Sequence, residues 1–281
     1  MGASEDRGLR PARVLIGWVP PEVAVLLQSG RLDDHPRKAE FELRAQQARI
    51  VAGARRPVIT ADGVVSEAPR ALRDYVGTLA DELRSEQLEA DGWRLGLVDL
   101  RRVCAVQPHV FVDTELPDVA PEDLEALARI TLQPVTDLSF DIQFHNDRQA
   151  WVASAGPHFK IVREFHSLIE PGIVGFGFAV QKFGSFLQVV RYQDRYVIRD
   201  GNHRALAFLA RGINTVPALV SEAMSVEDIH LRRGMLSIDV VLGPRAPLLP
   251  DYLDNDVSTE VHLAREGRVI IIQGMEIPVF R

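Results

Sequence analysis

Residues 196–212, YVIRDGNHRALAFLARG, set an acid, a glycine, an amide, an imidazole and a guanidinium in consecutive positions, Asp200, Gly201, Asn202, His203 and Arg204. They fall where an apolar run gives way to alanine and leucine. Arg204 offers a forked, permanently charged donor suited to phosphate oxygens, and His203 adds a second donor or a proton carrier near neutral pH. Gly201 lets the backbone turn sharply and approach a ligand without a side-chain clash. If a helix starts here, its first N–H groups lack intrahelical partners and carry the positive end of the macrodipole, so they attract an anion. Asp200 is the odd member, because a carboxylate repels phosphate. It needs its own reason: capping the helix, fixing Arg204 or His203, holding a magnesium ion, or taking a proton from a substrate hydroxyl. The plain alternative is turn chemistry, with Asp200 or Asn202 a cap and His203 and Arg204 solvated first-turn residues.

The elements around the cluster read as a compact α/β unit. LQVVR (187–191) and RYVIR (195–199) are two short strands separated by the turn-like YQD, which predicts a hairpin. A helix over 205–211 follows, stopped by Gly212, and VPALV (216–220) reads as a further strand. Leu206, Leu209 and Ala210 fall on one helical face and are expected to pack on the sheet. Between 181 and 220 there are six positive residues (Lys182, Arg191, Arg195, Arg199, Arg204, Arg211) against Asp194 and Asp200, a net of +4 in a chain of net charge -7. The positive character is therefore local.

The 281 residues have room for a substantial core, and the composition, nearly half apolar and one quarter charged, is globular. No apolar run approaches the length of a membrane span and the first residues lack the apolar core of a signal peptide, so a cytoplasmic protein is expected, without a membrane partner. One cysteine, Cys104, excludes an intrachain disulfide and argues against cysteine-based zinc. The acidic total argues against indiscriminate nucleic-acid binding.

Three regions are expected. Residues 1–92 read as mainly helical, in segments 21–30, 39–56 and 69–90, with His35 in a surface turn; this region is a packing module, a lid, or a surface for a protein partner or a second copy. Residues 93–222 form the core. Leu97, Val98 and Leu100 suggest a buried strand, residues 103–112 are rich in β-branched and aromatic types, and PEDLEALARI (121–130) is a helix with acids in its first turn. Residues 223–281 form an extension with one short helix in SVEDIHLRRG, a proline-rich connector, LGPRAPLLPDYLDND, and a terminal hairpin around Gln273 and Gly274.

LQVVRYQDRYVIRDGNHRALAFLARGINTVPALV resembles the core of the ParB/sulfiredoxin superfamily: a strand, a Gly-x-x-Arg junction, a helix, a glycine stop, and a strand with proline near its start. VDLRRVCAVQPHV (98–110) is similar in character to that family's first strand and loop. Among its branches, CTP-binding partition proteins carry Gly-Glu-Arg-Arg and sulfiredoxins Gly-Cys-His-Arg; here Asn202 stands in the cysteine's place. The free-serine kinases carry Asp-Gly-His-His-Arg, from which only Asn202 departs. The resemblance implies a mixed α/β (α+β) fold and a bound nucleoside triphosphate, ATP or another, with Mg2+. Gly201, Asn202, His203, Arg204, Gln107 and His109 would border the nucleotide. Asp200 and His203 would be catalytic, with Asp200 also the metal ligand, in phosphotransfer to a small hydroxyl-bearing substrate or to water. A glutamate from the early loop is also expected, and Glu115 is the nearest candidate. A non-catalytic nucleotide-sensing or protein-interaction module is the alternative. A helix-turn-helix DNA reader is disfavoured, since 223–281 lacks consecutive helices.

The remaining polar residues carry weaker signals. His145, Asp147 and Arg148 in FHNDRQ read first as a polar loop, and the glycines of PGIVGFGFAVQKFGSF (171–186) as a mobile loop or close packing. His158 and His166 bracket a helical-looking piece at a spacing unlike that of two helical metal ligands.

Overall fold

The computed structural model describes residues 9–29, 37–58, 62–85, 88, 91–135, 141–147, 150–155, 159–264 and 268–273. It is a mixed α and β structure, and the chain divides into two compact units, residues 1–133 with 186–265, and residues 134–185 with 266–281. Packing therefore draws other lines than the boundaries at 92 and 222. No helix among the described residues is long and apolar enough to cross a membrane.

The larger unit is built on a five-stranded sheet in the order Arg195–Asp200, Gln188–Tyr192, Thr215–Glu222, Arg94–Asp99, Val65–Glu67. Its first two strands form the expected hairpin, with Val190 opposite Val197 and Tyr192 opposite Arg195. Thr215–Glu222 runs parallel to Gln188–Tyr192, and the other neighbours are antiparallel. The chain therefore leaves the hairpin, forms the helix Asn202–Ala210, and re-enters the sheet beyond Gln188–Tyr192. Val189, Val197 and Ile198 of the sheet are fully buried together with Ala205 and Phe208 of this helix. The helix starts three residues before the sequence expectation and buries Asn202, Ala205, Leu206, Phe208 and Leu209. Ala210, expected on that face, is exposed in the last turn.

A second sheet places Leu9–Val14 between Thr259–Ala264 and His109–Phe111, antiparallel to both. Thus the mainly helical N-terminal region also supplies two strands, Leu9–Val14 and Val65–Glu67, whose partners lie far along the chain. Its helices include Pro21–Ser29, Lys38–Ala54, Arg70–Gly77 and Ala80–Ser85. Lys38–Ala54 buries only alanines, Ala45, Ala48 and Ala52, and a Cβ at Gly17 would lie 3.1 Å from the Ala52 Cβ. Small residues are needed for that approach.

The segment 242–256 is not a connector. Leu249 and Tyr252 are fully buried, and the Tyr252 hydroxyl donates to the Gln107 carbonyl at 2.5 Å. Ala105 donates to the Pro247 carbonyl and Leu249 to the Val103 carbonyl, while Cys104 pairs with Val197 on its other side. Prolines at 244, 247 and 250 suggested a linker, yet they leave the intervening donors free to pair. The short helix read in SVEDIHLRRG is a single 3-10 turn, Glu227–Ile229.

The smaller unit is entirely of strands among its described residues. Ala150–Ala155 lies between Arg268–Gln273 and Asp141–His145. Arg268–Gln273 thus pairs with a strand over a hundred residues earlier; the second arm of the expected terminal hairpin lies outside the described residues, as do His35, Arg148 and His158. Phe159–Glu170 and Ile173–Lys182 form a long antiparallel hairpin turning at Pro171 and Gly172. The helical reading before His166 and the mobile-loop reading of the glycine run are both corrected by this hairpin. A Cβ at Gly175 would meet Ile169 at 2.8 Å and one at Gly177 would meet Phe165 at 3.2 Å, so cross-strand side chains lie flat over both glycines.

Candidate functional site

Gly201 joins the strand Arg195–Asp200 to the helix Asn202–Ala210 in a left-handed conformation, φ 87° and ψ 19°. A side chain there would be strained, and its Cβ would also sit 3.0 Å from Leu187 Cγ and 3.1 Å from Leu187 Cα. Only glycine satisfies both constraints. No side chain caps the helix at Gly201. The Asp200 carboxylate instead turns back to accept the Gly201 N–H at 2.7 Å, and Asp200 is exposed. It fixes the loop rather than closing the helix end.

Asn202 is 3% exposed, and its Oδ1 makes no hydrogen bond. A buried acceptor without a donor costs on the order of 1–3 kcal/mol, so the position is a stressed one.

His203 is held from the neighbouring sheet. Its Nδ1 accepts the Phe111 N–H at 3.1 Å, and its ring stacks on Phe111 with centroids 5.6 Å apart. Accepting that bond requires an unprotonated Nδ1, which leaves the proton of the neutral ring on Nε2. Burial pushes the His203 pKa below its ordinary value, and the charges of His109 and Arg10 act in the same direction. The imidazole is therefore a neutral Nε2–H donor.

Arg204 departs from the sequence expectation. Its Nη1 donates to the Ile130 carbonyl at 2.8 Å and to the Thr131 carbonyl at 3.3 Å. These carbonyls end the helix Leu124–Thr131, where the macrodipole is negative and acceptors lack helical donors. Leu187, the residue under Gly201, also donates to Thr131 O, at 2.7 Å. Arg204 therefore ties two helices to each other.

Lys182 belongs to the smaller unit, and the other four arginines of the local positive run are likewise engaged separately. Arg195 is buried against the Val241 carbonyl, Arg199 lies over the Trp93 ring, Arg211 donates to the Pro117 carbonyl, and Arg191 is 3.6 Å from Glu222. Arg191 lies opposite Tyr196 and Arg195 opposite Tyr192, so those two point to opposite faces of the hairpin, while Arg211 lies beyond the helix.

What does converge on His203 comes from the second sheet. Arg10 lies over the Phe111 ring at 4.9 Å and grips Asp113 with two bonds of 2.6 and 2.5 Å. The Arg10 guanidinium holds the Asp113 carboxyl below the usual carboxylate range. His109 meets Phe111 edge-on at 5.9 Å. Of the loop residues read from sequence, His109 thus joins the cluster, while Gln107 contributes its carbonyl to Tyr252. The loop acid that Arg10 brings into this cluster is Asp113, and Glu115 is exposed two residues on. Arg10, Phe111 and Asp113 were missed as site residues; alternation in LRPARV and the short strand in PHVFVD were the available signals. His145 and Asp147 belong to the smaller unit.

The described residues contain no group of three or more His, Cys, Asp or Glu side chains able to hold a metal ion. Magnesium, which commonly uses one or two carboxylates together with substrate phosphates, needs no such group, and the exposed Asp200 carboxylate fits that mode. Cys104 is fully buried, and burial raises its thiol to about 11, so it is an inert core residue. The chain matches no protein-family model, no curated protein and no solved structure.

Proposed function

We propose that the chain binds a nucleoside triphosphate with its phosphates at the start of the helix Asn202–Ala210. The observation that carries this reading is the left-handed Gly201 followed by a helix end that no side chain caps. First-turn N–H groups and the positive dipole end are then available to a phosphate. His203 supports the reading as a neutral Nε2–H donor, able to bond a phosphate oxygen at neutral pH without carrying charge. Asn202 Oδ1 seeks a donor, and suits a ligand hydroxyl better than a phosphate oxygen. Arg204 keeps the helix start in place through Ile130 and Thr131, and contributes its positive charge from there. The resemblance of the Asp-Gly-Asn-His-Arg junction to the free-serine kinases supports the same ligand class.

Phosphotransfer is the activity this arrangement favours. Asp200 would take the proton of the attacking hydroxyl as the oxygen–phosphorus bond forms and the bond to the leaving diphosphate breaks. When bound, magnesium supplies charge neutralisation on the phosphates, and Asp200 is the residue that would hold it. Calorimetry with ATP and CTP, with and without magnesium, tests binding; failure to bind either would end the proposal. Asp200→Asn then separates the two roles. Loss of turnover with the magnesium effect on binding intact assigns the base; loss of the magnesium effect assigns the ligand.

One observation favours a second reading, nucleotide sensing without chemistry. Arg204, expected to donate to phosphate oxygens, donates to protein carbonyls instead. Phosphorus NMR after long incubation with ATP and small hydroxyl compounds decides: binding without product selects the sensor.

A further inference from the structure

The long hairpin of the smaller unit, Phe159–Glu170 with Ile173–Lys182, pairs only with itself among the described residues. Two-stranded hairpins are marginal in water without a third strand or a packed face. This one also carries nine large apolar side chains that are 45–79% exposed, among them Leu168, Val174 and Phe176. They are divided between the two faces of the hairpin, with Val174, Phe176, Phe178 and Leu168 on one and Phe165 and Ile173 on the other. Exposed apolar side chains gathered in this way mark an interaction surface.

The two outer edges differ. Phe159–Glu170 carries Lys160, Arg163, Glu164 and Glu170, charges of the kind that guard an edge against pairing. Ile173–Lys182 holds no proline and one charge, Lys182 at its end. That edge is the less guarded of the two.

Its sequence is also close to symmetric. Outward from Gly177 stand Phe176 and Phe178, then Gly175 and Ala179, then Val174 and Val180. An antiparallel strand has side chains of period two, so Val174, Phe176, Phe178 and Val180 share one face. Pairing this strand with its own copy about Gly177 sets Phe176 opposite the partner's Phe178 and Val174 opposite the partner's Val180, and each pair occurs twice. The smaller residues meet on the other face. Such pairing is isologous and closes at two copies.

We propose that Ile173–Lys182 pairs antiparallel with the same strand of a second copy of this chain, about a two-fold axis through Gly177, making a four-stranded sheet with four phenylalanines on one face. Cross-strand aromatic pairs of this kind stabilise a sheet. The proposal is independent of the nucleotide reading.

Sedimentation velocity on the full chain at micromolar concentration is the first test, with a mass of two chains expected. A monomer would overturn the proposal, whether the patch then folds onto the rest of the chain or awaits a different protein. Phe176→Asp should give a monomer with an unchanged far-ultraviolet circular dichroism spectrum, and a dimer surviving it would also overturn the proposal. The register is tested without loss of apolar edge by mixing Val174→Cys chains with Val180→Cys chains under mild oxidation. The mixture should cross-link, while either variant alone should not, since like positions would then stand six residues, about 20 Å, apart. Equal cross-linking in the single variants would refute the register. Cys104, being buried, does not compete.

Discussion

Arg204 and Gly201 adjoin the same helix start, yet only one did what its type suggested. The demand on Gly201 is local: a strand must turn into a helix within one residue, and the left-handed backbone that results is legible from sequence. The partner of Arg204 lies over seventy residues earlier, at carbonyls that any sequence ending a helix would offer. Nothing at 204 announces them. Arg204→Ala should therefore act on stability, removing a charged donor from two carbonyls, at a cost of about 2 kcal/mol. A thermal melt would register this, and unchanged melting would show the contact to be unimportant. His203 belongs to the same scale. Its folded pKa lies below the unfolded value, so the unfolded state binds more protons and stability rises with pH. That contribution is complete above the unfolded value near ~6.5 and is lost as pH falls from there through the folded pKa. Denaturant titrations at descending pH should show the loss. His203→Asn, which keeps an acceptor for the Phe111 N–H, should flatten it; an unchanged slope in the variant would assign the effect elsewhere.

Periodicity served well for whole elements where the pattern was local. The hairpin, the helix after it, the strand Thr215–Glu222 and the helix Leu124–Thr131 were all readable within windows of ten residues. Readings failed where pairing is distant or composition misleads. Leu9–Val14 is a strand because Thr259–Ala264 and His109–Phe111 flank it. Phe159–Glu170 has spacing compatible with a helix, but its partner strand, with glycines beneath Phe165 and Ile169, settles it as β. The proline-rich segment 242–256 looked like a linker and is a wall of the core. Tyr252→Ala is the test at this scale: removing a fully buried aromatic ring, together with its bond to the Gln107 carbonyl, should cost roughly 3–5 kcal/mol by denaturant unfolding. A linker residue would cost almost nothing.

At the scale of the whole molecule, the chain assembles its candidate site from regions that are far apart in sequence. Arg10 comes from the first strand, His109, Phe111 and Asp113 from the loop region, and Asp200 to Arg204 from the junction. The junction was visible in the sequence, whereas the sheet that supplies Arg10 and Phe111 could not be seen until distant strands were paired. The central claim, that an uncapped helix start receives a phosphate, concerns a few backbone amides. Its most direct measurement is a nitrogen–proton NMR titration of the full chain with ATP and magnesium, following the amides of Asn202, His203 and Arg204. The account predicts saturable shifts largest at these three amides and at the His203 ring, while amides of the strand Ile173–Lys182 stay still. Amides at 202–204 that do not move at saturating nucleotide, or that move no more than the rest of the chain, would contradict it.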